Sequence, residues 1–336
     1  MKNKVLTGLL LVLIGGWGSL SAQSAGSNYS RQVNTLIGTK GVGLTSGYLY
    51  PGATYPYGMV QFTPSYFSKR SGFVINQLSG GGCEHMGNFP TFPVKGKLKM
   101  SPDNILNYRI NISEEKGHAG YYEAMVQEDI KAKLTVTERT GMASYEYPAD
   151  QQYGTVIIGG GISATPIEQA AIVITAPNKC EGYAEGGNFC GLRTPYKVYF
   201  VAEFDTDALE SGTWKRNELK PNTTFAEGEY SGVYFTFDVN KKKNIQYKIG
   251  VSYVSVENAR ENLKAENTGW DFLQIQNQAE SKWNHYLGKI EVEGTNPDRT
   301  TQFYTHLYRS FIHPNVCSDV NGEYMGADFK VHKSRS

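Results

Sequence analysis

The sequence has no excess of charge of either sign and few charged residues altogether. Its 336 residues include 33 lysines and arginines against 32 aspartates and glutamates, and charged residues form only 19% of the chain. Nothing in this balance marks a protein that binds nucleic acid, because such proteins usually carry a basic excess. The chain also has no repeat of fixed period and no low-complexity tract.

Long apolar runs are absent except at the N-terminus. Lys2 and Lys4 precede the apolar stretch Val5 to Trp17, and small residues follow as far as Ala22. This order predicts a cleaved signal peptide over residues 1–24, with an uncleaved membrane anchor as the alternative. We therefore expect a periplasmic or secreted protein without stable membrane insertion after cleavage.

Cysteine is scarce, with four residues in the chain, Cys83, Cys180, Cys190 and Cys317. In an oxidising compartment such cysteines can pair. Cys180 and Cys190 flank the glycine-rich segment "EGYAEGGNF", so a local disulfide between them is one possibility and free thiols are the other. Cys83 and Cys317 are then left over, and buried thiols are their expected state.

Two known chemistries also lack their signatures. No G-x-S-x-G elbow of a serine hydrolase occurs, and no Lys-Ser/Thr pair follows a glycine-rich loop as phosphate binding requires. Glycoside hydrolysis needs two facing carboxylates. Several acidic residues are available for it, but the sequence alone pairs none of them.

Glycine and tyrosine are abundant instead, with 37 and 23 residues. This composition suits short strands joined by tight turns. A period of two runs from about residue 30 to 256, most clearly in "NIQYKIGVSYVSV", where Ile245, Tyr247 and Ile249 share one face. The pattern predicts a mainly β fold, an antiparallel sandwich.

The pattern becomes helical near Asn258, with a break at Thr268–Gly269. A later helical segment carries an apolar stripe, which consists of Phe303, Leu307 and Phe311. Beside it lie His306 and His313, for which solvated or hydrogen-bonded positions are expected. A lone helix must bury its stripe against something. The pattern therefore favours a chain that stops inside a second domain, with capping of the sandwich as the alternative.

The segment "LSGGGCEHMGNFP", Leu78 to Pro90, suits neither a helix nor a strand. Gly80 to Gly82 free the backbone for close approach to a ligand or another segment. Cys83, Glu84 and His85 are metal-ligating residue types, but three consecutive residues converge poorly on one ion. A binding loop and a simple glycine turn both remain open.

Five segments in order resemble glycoside hydrolase family 92, the bacterial exo-α-mannosidases. They are "VNTLIGTKGVG" (33–43), "YPGATYPYGMVQFTP" (50–64), "LSGGGCEHMGNFPTFPV" (78–94), "GHAGYYEA" (117–124) and "FYTHLYRSFIHPNVCSDVNGEYMGADFKVH" (303–332). The resemblance covers essentially the whole mature chain, and its second and fifth segments are the most specific.

The resemblance implies a galactose-mutarotase-like β-supersandwich at residues 25–257 and a helical linker at 258–298. Residues 299–336 would then start an incomplete (α/α)6 catalytic barrel. It also implies calcium-dependent, inverting hydrolysis of terminal α-mannose from glycans. The family's general acid, general base and calcium ligands have no counterparts before Ser336. No catalytic residue and no bound metal are therefore expected in this chain, which would lack its partner barrel and be inactive alone.

The resemblance also assigns substrate-binding positions, with the glycine-rich loop lining the sugar pocket. They are Gly80, Gly81, Gly82, Cys83, Glu84, His85 and Asp328. Asp328 could equally cap a turn. Asn76–Gln77 and Asn88 depart from the commoner family pattern, which puts the linkage specificity in doubt. The alternative function is a non-catalytic carbohydrate-binding or scaffolding β-sandwich that uses Tyr55, Tyr57 and the loop at Gly80.

Overall fold

The computed structural model describes residues 28–40, 47–65, 72–102 and 111–334. The predicted signal peptide, residues 1–24, lies outside these ranges. The first strands are β1 (Ala53–Thr54), β2 (Gln61–Pro64), β3 (Phe73–Val74), β4 (Thr91–Lys95), β5 (Ile112–His118), β6 (Tyr121–Val126), β7 (Ile130–Val136), β8 (Thr140–Glu146) and β9 (Tyr153–Gly159). The later strands are β10 (Ile167–Ala176), β11 (Lys179–Phe189), β12 (Leu192–Phe204), β13 (Glu210–Lys215), β14 (Glu218–Pro221), β15 (Phe225–Glu227), β16 (Ser231–Asp238), β17 (Asn244–Ser252), β18 (Glu323–Met325) and β19 (Val331–Lys333). The helices are a short 3₁₀ turn (Tyr29–Gln32), α1 (Val256–Glu266), α2 (Phe272–Leu287) and α3 (Pro297–Ser310).

Two large antiparallel sheets form the body of the described chain. One has eight strands in the order β1-β2-β3-β4-β9-β16-β13-β14, and the other has nine in the order β15-β10-β11-β12-β17-β8-β7-β6-β5. Their inner faces enclose one apolar core, in which Phe204 packs against Tyr247, Phe235 and Phe237. The predicted β-sandwich is confirmed.

In strand β17 the alternating apolar side chains form part of the packed core. Ile245, Tyr247 and Ile249 are fully buried in the core, as the alternation predicts. Lys248 points to the other side but is only 5% exposed. Alternation places Lys248 on the opposite face, where a charged residue would ordinarily be solvated. It is buried because helix α1 covers that face, and its Nζ donates to the Asn267 carbonyl oxygen just after the helix.

Helix α1 lies across β12 and β17 on the outer side of the nine-stranded sheet. Ser255 caps its start by accepting a hydrogen bond from the backbone N–H of Asn258. A side chain at Gly250 would come within 2.5 Å of the Ala259 carbonyl oxygen. Because Gly250 has no side chain, α1 can pack directly on the sheet. The predicted break at Thr268–Gly269 falls between α1 and α2.

Helices α2 and α3 bury a second apolar cluster against the start of the described chain. The cluster contains Val33, Tyr50, Ala119, Trp283, Leu287, Tyr304, Tyr308 and Ile312. The buried positions of α3 are Tyr304, Thr305 and Tyr308. The predicted stripe of Phe303, Leu307 and Phe311 is only half-buried, at the edge of this cluster. The sequence-based stripe did not include Tyr304 and Tyr308, which are the aromatic residues that α3 buries in the centre of this cluster.

The chain ends in a small hairpin of β18 and β19 that is held to α1 by a buried carboxylate. Asp319, 2% exposed, accepts hydrogen bonds from Ser252 Oγ (2.6 Å), Asn258 Nδ2 (2.9 Å) and Asn262 Nδ2 (2.6 Å). Val320 donates its N–H to Asn262 Oδ1 in return. The tail is therefore docked on the helix that follows the sandwich.

The cysteines pair differently from the sequence-based proposal. The disulfide joins Cys83 to Cys190, Cys180 is a buried free thiol, and Cys317 is an exposed one. The segment between Cys180 and Cys190 is an extended strand rather than a loop. At about 3.3 Å per residue, it holds these two cysteines roughly 33 Å apart.

Candidate functional site

A cleft of about 850 Å³ opens where three parts of the chain meet. The glycine-rich loop supplies Leu78 and Met86, and the β11–β12 hairpin supplies Glu185, Tyr196 and Lys197. The segment from His313 to Phe329 forms the third side. Sequence segments more than 200 residues apart thus share one concave surface, which makes it the candidate site.

His313 links the glycine-rich loop to the end of α3. Ser79 donates its backbone N–H to His313 Nε2 at 2.9 Å, while His313 Nδ1 lies 2.7 Å from Asn315 Oδ1. Since Nε2 accepts, Nδ1 carries the proton and donates to Asn315. Asn315 Nδ2 donates in turn to the Gly58 carbonyl oxygen at 2.7 Å. The hydrogen-bonded position expected for His313 is confirmed, and this chain of bonds fixes one side of the cleft.

His85 is buried within the glycine-rich loop itself. Leu78 donates its N–H to His85 Nε2 at 2.7 Å, and His85 Nδ1 donates to the Cys83 carbonyl oxygen at 2.6 Å. Burial lowers the pKa of His85 from its usual value, which keeps the ring neutral. Both ring nitrogens already serve the loop, so this histidine shapes the loop from inside.

The three predicted glycines have separate roles. Gly80 has φ +76°, in the left-handed region, and the space around it is open. A Cβ at Gly81 would lie 3.0 Å from His85 Cε1, and one at Gly82 would reach only the Tyr48 ring at 3.9 Å. The predicted close approach is therefore confined to the loop's own histidine.

The remaining residues of the predicted loop site, Cys83 and Glu84, are not arranged to bind a metal ion. Cys83 is bonded to Cys190 at the tip of the β11–β12 hairpin, and Glu84 is exposed. Across the described ranges, no group of three or more His, Cys, Asp or Glu side chains is placed to hold a metal ion. None of residues 80–85 is among the described residues that line the cleft, which the loop reaches through Leu78 and Met86.

Asp328 lies in the turn of the β18–β19 hairpin and is exposed. A hydrogen bond from His332 Nε2 at 2.9 Å, with a second from the Lys330 N–H at 3.2 Å, lowers the pKa of its carboxyl. The geometry matches the turn-capping alternative. Its neighbours Ala327 and Phe329 line the cleft.

Sequence reasoning missed the polar residues of the β11–β12 hairpin. Tyr196 donates its hydroxyl to Asn88 Oδ1 at 2.7 Å, and burial raises the pKa of Tyr196 well above its usual value. Lys197 Nζ lies 3.4 Å from a carboxylate oxygen of Glu185. Only the strict alternation along β11 and β12 could have indicated which side chains share this surface.

The residues that line the cleft are better suited to binding a ligand than to transferring protons. Among the described lining residues Glu185 is the single carboxylate, and it is already paired with Lys197. Hydrolysis of a glycosidic bond with inversion requires two carboxyl groups across the sugar. The described residues therefore offer aromatic, amide and imidazole contacts without that pair.

Comparison with known proteins agrees with this architecture. Residues 32–252 match the model of the glycosyl hydrolase family 92 N-terminal domain, and residues 258–336 match that of the family 92 catalytic domain. The chain belongs to glycoside hydrolase family 92. It resembles an "uncharacterized secreted glycosidase" of Arthroderma benhamiae with 26% identity, which covers 87% of this chain and 42% of the relative.

Solved structures share the fold. A family 92 α-mannosidase from Bacteroides thetaiotaomicron has a TM-score of 0.81 and 24% identity, covering 92% of this chain and 44% of that one. An inverting family 92 mannosidase from the same species has a TM-score of 0.73 and 23% identity, covering 91% and 43%. The chain thus spans less than half the length of these relatives. No helix in the described ranges is both long and apolar enough to cross a membrane.

Proposed function

We propose that this chain forms one wall of a terminal α-mannose pocket in an exported, inverting exo-α-mannosidase. The observation that carries the proposal is the cleft in which the glycine-rich loop meets His313. A solved family 92 α-mannosidase with the same fold binds mannoimidazole, and another is named an inverting mannosidase. The carboxyl groups that protonate the leaving group and activate water would belong to the part of the catalytic domain that this chain does not span.

In this proposal His313 positions the glycine-rich loop beside the sugar, because both of its ring nitrogens are already hydrogen-bonded. The Asn315 Oδ1 and Tyr196 hydroxyl oxygens can each accept a further hydrogen bond from a sugar hydroxyl, and Tyr253 adds an aromatic ring. Leu78 and Met86 exclude water from the apolar side. These contacts give affinity and orientation, which support catalysis only when the two carboxyl groups are present.

Calcium has no fitting ligand set among the described residues, since no cluster of acidic or histidine side chains could hold an ion there. In the proposal it binds in the remainder of the catalytic domain. Removing calcium with a chelator should then leave the sugar affinity of the 336-residue chain unchanged.

The first test is a hydrolysis assay of the purified chain with a terminal α-mannoside and calcium. We expect no release of mannose above background, because each missing general acid or base forfeits about 10²–10⁴-fold in rate. Calcium-dependent release that a chelator stops would overturn the assignment of catalysis to residues outside this chain.

The second test measures sugar affinity by calorimetric titration with methyl α-mannoside. His313→Ala should weaken binding about tenfold or more, since it removes a cleft side chain and the anchor of the glycine-rich loop. His306→Ala is the matched control, because His306 is exposed on α3, the helix that precedes His313, and lies outside the cleft. Equal affinity of both variants would refute the placement of the sugar.

A further inference from the structure

A second concave surface lies on the outer side of the nine-stranded sheet, where α2 begins. It has a volume of about 560 Å³ and shares no lining residue with the cleft at His313. We name it the Trp270 groove, and its principal lining residues are Tyr121, Lys133, Ser144, Asn244, Gln246 and Trp270.

The floor of the Trp270 groove is a polar row across three neighbouring strands. Lys133 on β7 pairs in register with Ser144 on β8, which pairs with Gln246 on β17. Side chains at paired positions of adjacent strands lie on one face of a sheet. Ser144 Oγ donates a hydrogen bond to Asn244 Oδ1 at 2.7 Å, which fixes the amide beside the row.

Four donor groups on this surface have no acceptor among the described residues. They are Lys133 Nζ, Asn244 Nδ2, Gln246 Nε2 and Trp270 Nε1. Groups of this kind are ordinarily satisfied by protein, water or a ligand. Gln246 Oε1 on the same surface is a buried acceptor without a partner. Together these groups favour a ligand whose hydroxyls both accept and donate hydrogen bonds.

The aromatic walls of the groove are already held in place. Lys248 Nζ lies 4.4 Å from the centre of the Trp270 ring, and it donates to the Asn267 carbonyl oxygen. Tyr121 donates its hydroxyl to Glu123 at 2.7 Å and packs edge-on against Phe272. Rings fixed in this way lose little freedom when a ligand stacks on them.

The charge of the groove favours a neutral ligand. Lys133 supplies one positive charge, and Asp271, which caps α2 by accepting the Gln274 N–H, supplies one negative charge. An anion would gain from Lys133 but would meet the Asp271 carboxylate. A sugar suits the surface better, because its hydroxyls both donate and accept and its C–H faces stack on aromatic rings.

We propose that the Trp270 groove is a second carbohydrate-binding site that takes a neutral oligosaccharide. It would hold a glycan polymer at a point remote from the cleft. The site needs no carboxylate pair and no metal, so it functions as an attachment site without chemistry of its own. It stands whether or not the cleft at His313 binds a terminal mannose.

The experiment is affinity electrophoresis of the 336-residue chain through gels containing soluble α-mannan. Lys133→Ala combined with Gln246→Ala should weaken retention at least fivefold. Trp270→Phe should weaken it partly, because the ring stays and the indole N–H is lost. Lys264→Ala is the control, since Lys264 is exposed on α1 and lies outside the groove. Thermal unfolding of each variant verifies that it is folded.

The His313→Ala variant separates this site from the cleft. Retention that survives His313→Ala and falls with the groove variants supports the second site. Retention that is lost with His313→Ala and unchanged by the groove variants overturns it while leaving the cleft proposal intact. Absence of mannan retention by the unaltered chain, or displacement of retained chain by inorganic sulfate alone, also overturns it.

Discussion

Glu280 lies where three distant parts of the chain meet. Its carboxylate accepts two hydrogen bonds from Arg31 (2.8 and 3.0 Å), one from His118 Nε2 (2.9 Å) and one from Gln276 Nε2 (2.7 Å). Burial alone would raise the pKa of Glu280, but these donors outweigh it and lower the pKa to about 2. The buried carboxylate therefore fastens α2 to the start of the described chain.

This shift gives a pH dependence of stability with a definite sign. The carboxyl has a pKa near 4.5 in the unfolded chain and about 2 in the folded one. Its contribution is fully present above pH 4.5 and is lost as the pH falls towards 2. Glu280→Gln should lower the free energy of unfolding by about 1–3 kcal/mol at neutral pH, since buried donors lose their charged acceptor, and by progressively less in acid. Urea unfolding between pH 7 and pH 3 measures it.

Glu293→Gln provides the comparison, because Glu293 is exposed. Its effect should stay within about 0.5 kcal/mol at every pH. A Glu280→Gln defect of constant size across this pH range would contradict the ionic role of Glu280.

Asp319 leads to a different prediction, because it holds the tail in place. Asp319→Ala leaves donors of Ser252, Asn258 and Asn262 unsatisfied, at a cost of about 1–3 kcal/mol for a buried donor. We expect limited proteolysis to cut the segment after Ile312 faster in this variant. Asp207 is exposed, so Asp207→Ala is the control and should leave the cleavage rate unchanged. An unchanged rate in Asp319→Ala as well would show that other contacts hold the tail.

The sequence was least informative about the contacts of individual residues. The predicted sugar contacts of residues 80–85 rested on the family resemblance, whereas the hydrogen bonds of His85 depend on how the loop curls around its own ring. The tautomer of His85 cannot be predicted without its hydrogen-bond partners. The hydrogen bond from Ser79 to His313 joins residues that are 234 positions apart in the sequence. No local pattern encodes such a pair.

Among the elements, α1 depends on a single glycine in β17. Gly250→Ala would place a methyl group 2.5 Å from the Ala259 carbonyl oxygen and 2.8 Å from Leu263 Cβ. We expect a loss of about 1–3 kcal/mol in unfolding free energy, since helix and strand would have to separate. Gly269→Ala is the control, because open space surrounds Gly269 and its loss should be below about 1 kcal/mol. Equal losses would exclude the close packing.

The disulfide ties two elements that are 107 residues apart in sequence. Replacing Cys83 and Cys190 by serine, in a Cys317→Ser background, should cost about 2–5 kcal/mol of stability. It should also speed hydrogen exchange at the Leu78 and Ser79 amides, which are protected by His85 and His313. The Cys317→Ser parent is the control. Unchanged exchange at these two amides would show that the histidines hold the loop without the disulfide.

The strands were predictable because the period of two is strong where one face is buried. The same reasoning failed for the segment between Cys180 and Cys190, since its glycines suggested a turn although β11 runs through them. Gly182 lies close to the Ala171 carbonyl oxygen on the neighbouring strand, where a side chain would collide. Glycine there serves strand packing, which composition alone cannot distinguish from a turn.

For the whole molecule, three of the nine large apolar side chains that are exposed among the described residues lie close together in sequence on the tail. Phe329 is 67% exposed, Val331 50% and Val320 39%. Phe329→Ser with Val331→Ser should reduce the fluorescence of an apolar dye bound to the folded chain. Leu209→Ser, which removes an exposed side chain elsewhere, should reduce it less. Equal reductions would show that the tail carries no special patch.

The general architecture followed from the sequence, because alternation, a change to helical pattern and five family-like segments all pointed the same way. The sequence did not predict how the helices sit on the sandwich. That arrangement depends on cross-contacts such as Arg309, which donates to the carbonyl oxygens of Thr35 (2.7 Å) and Tyr50 (3.1 Å).

The apolar cluster that α2 and α3 share with the first described residues limits where the chain can be cut without loss of structure. The two family matches meet between residues 252 and 258, yet Trp283 donates its indole N–H across that border to the Thr54 carbonyl oxygen. A chain cut at the border would expose Tyr50 and Val33 to water. The sandwich and its helices should therefore fold, and be expressed, as a single unit.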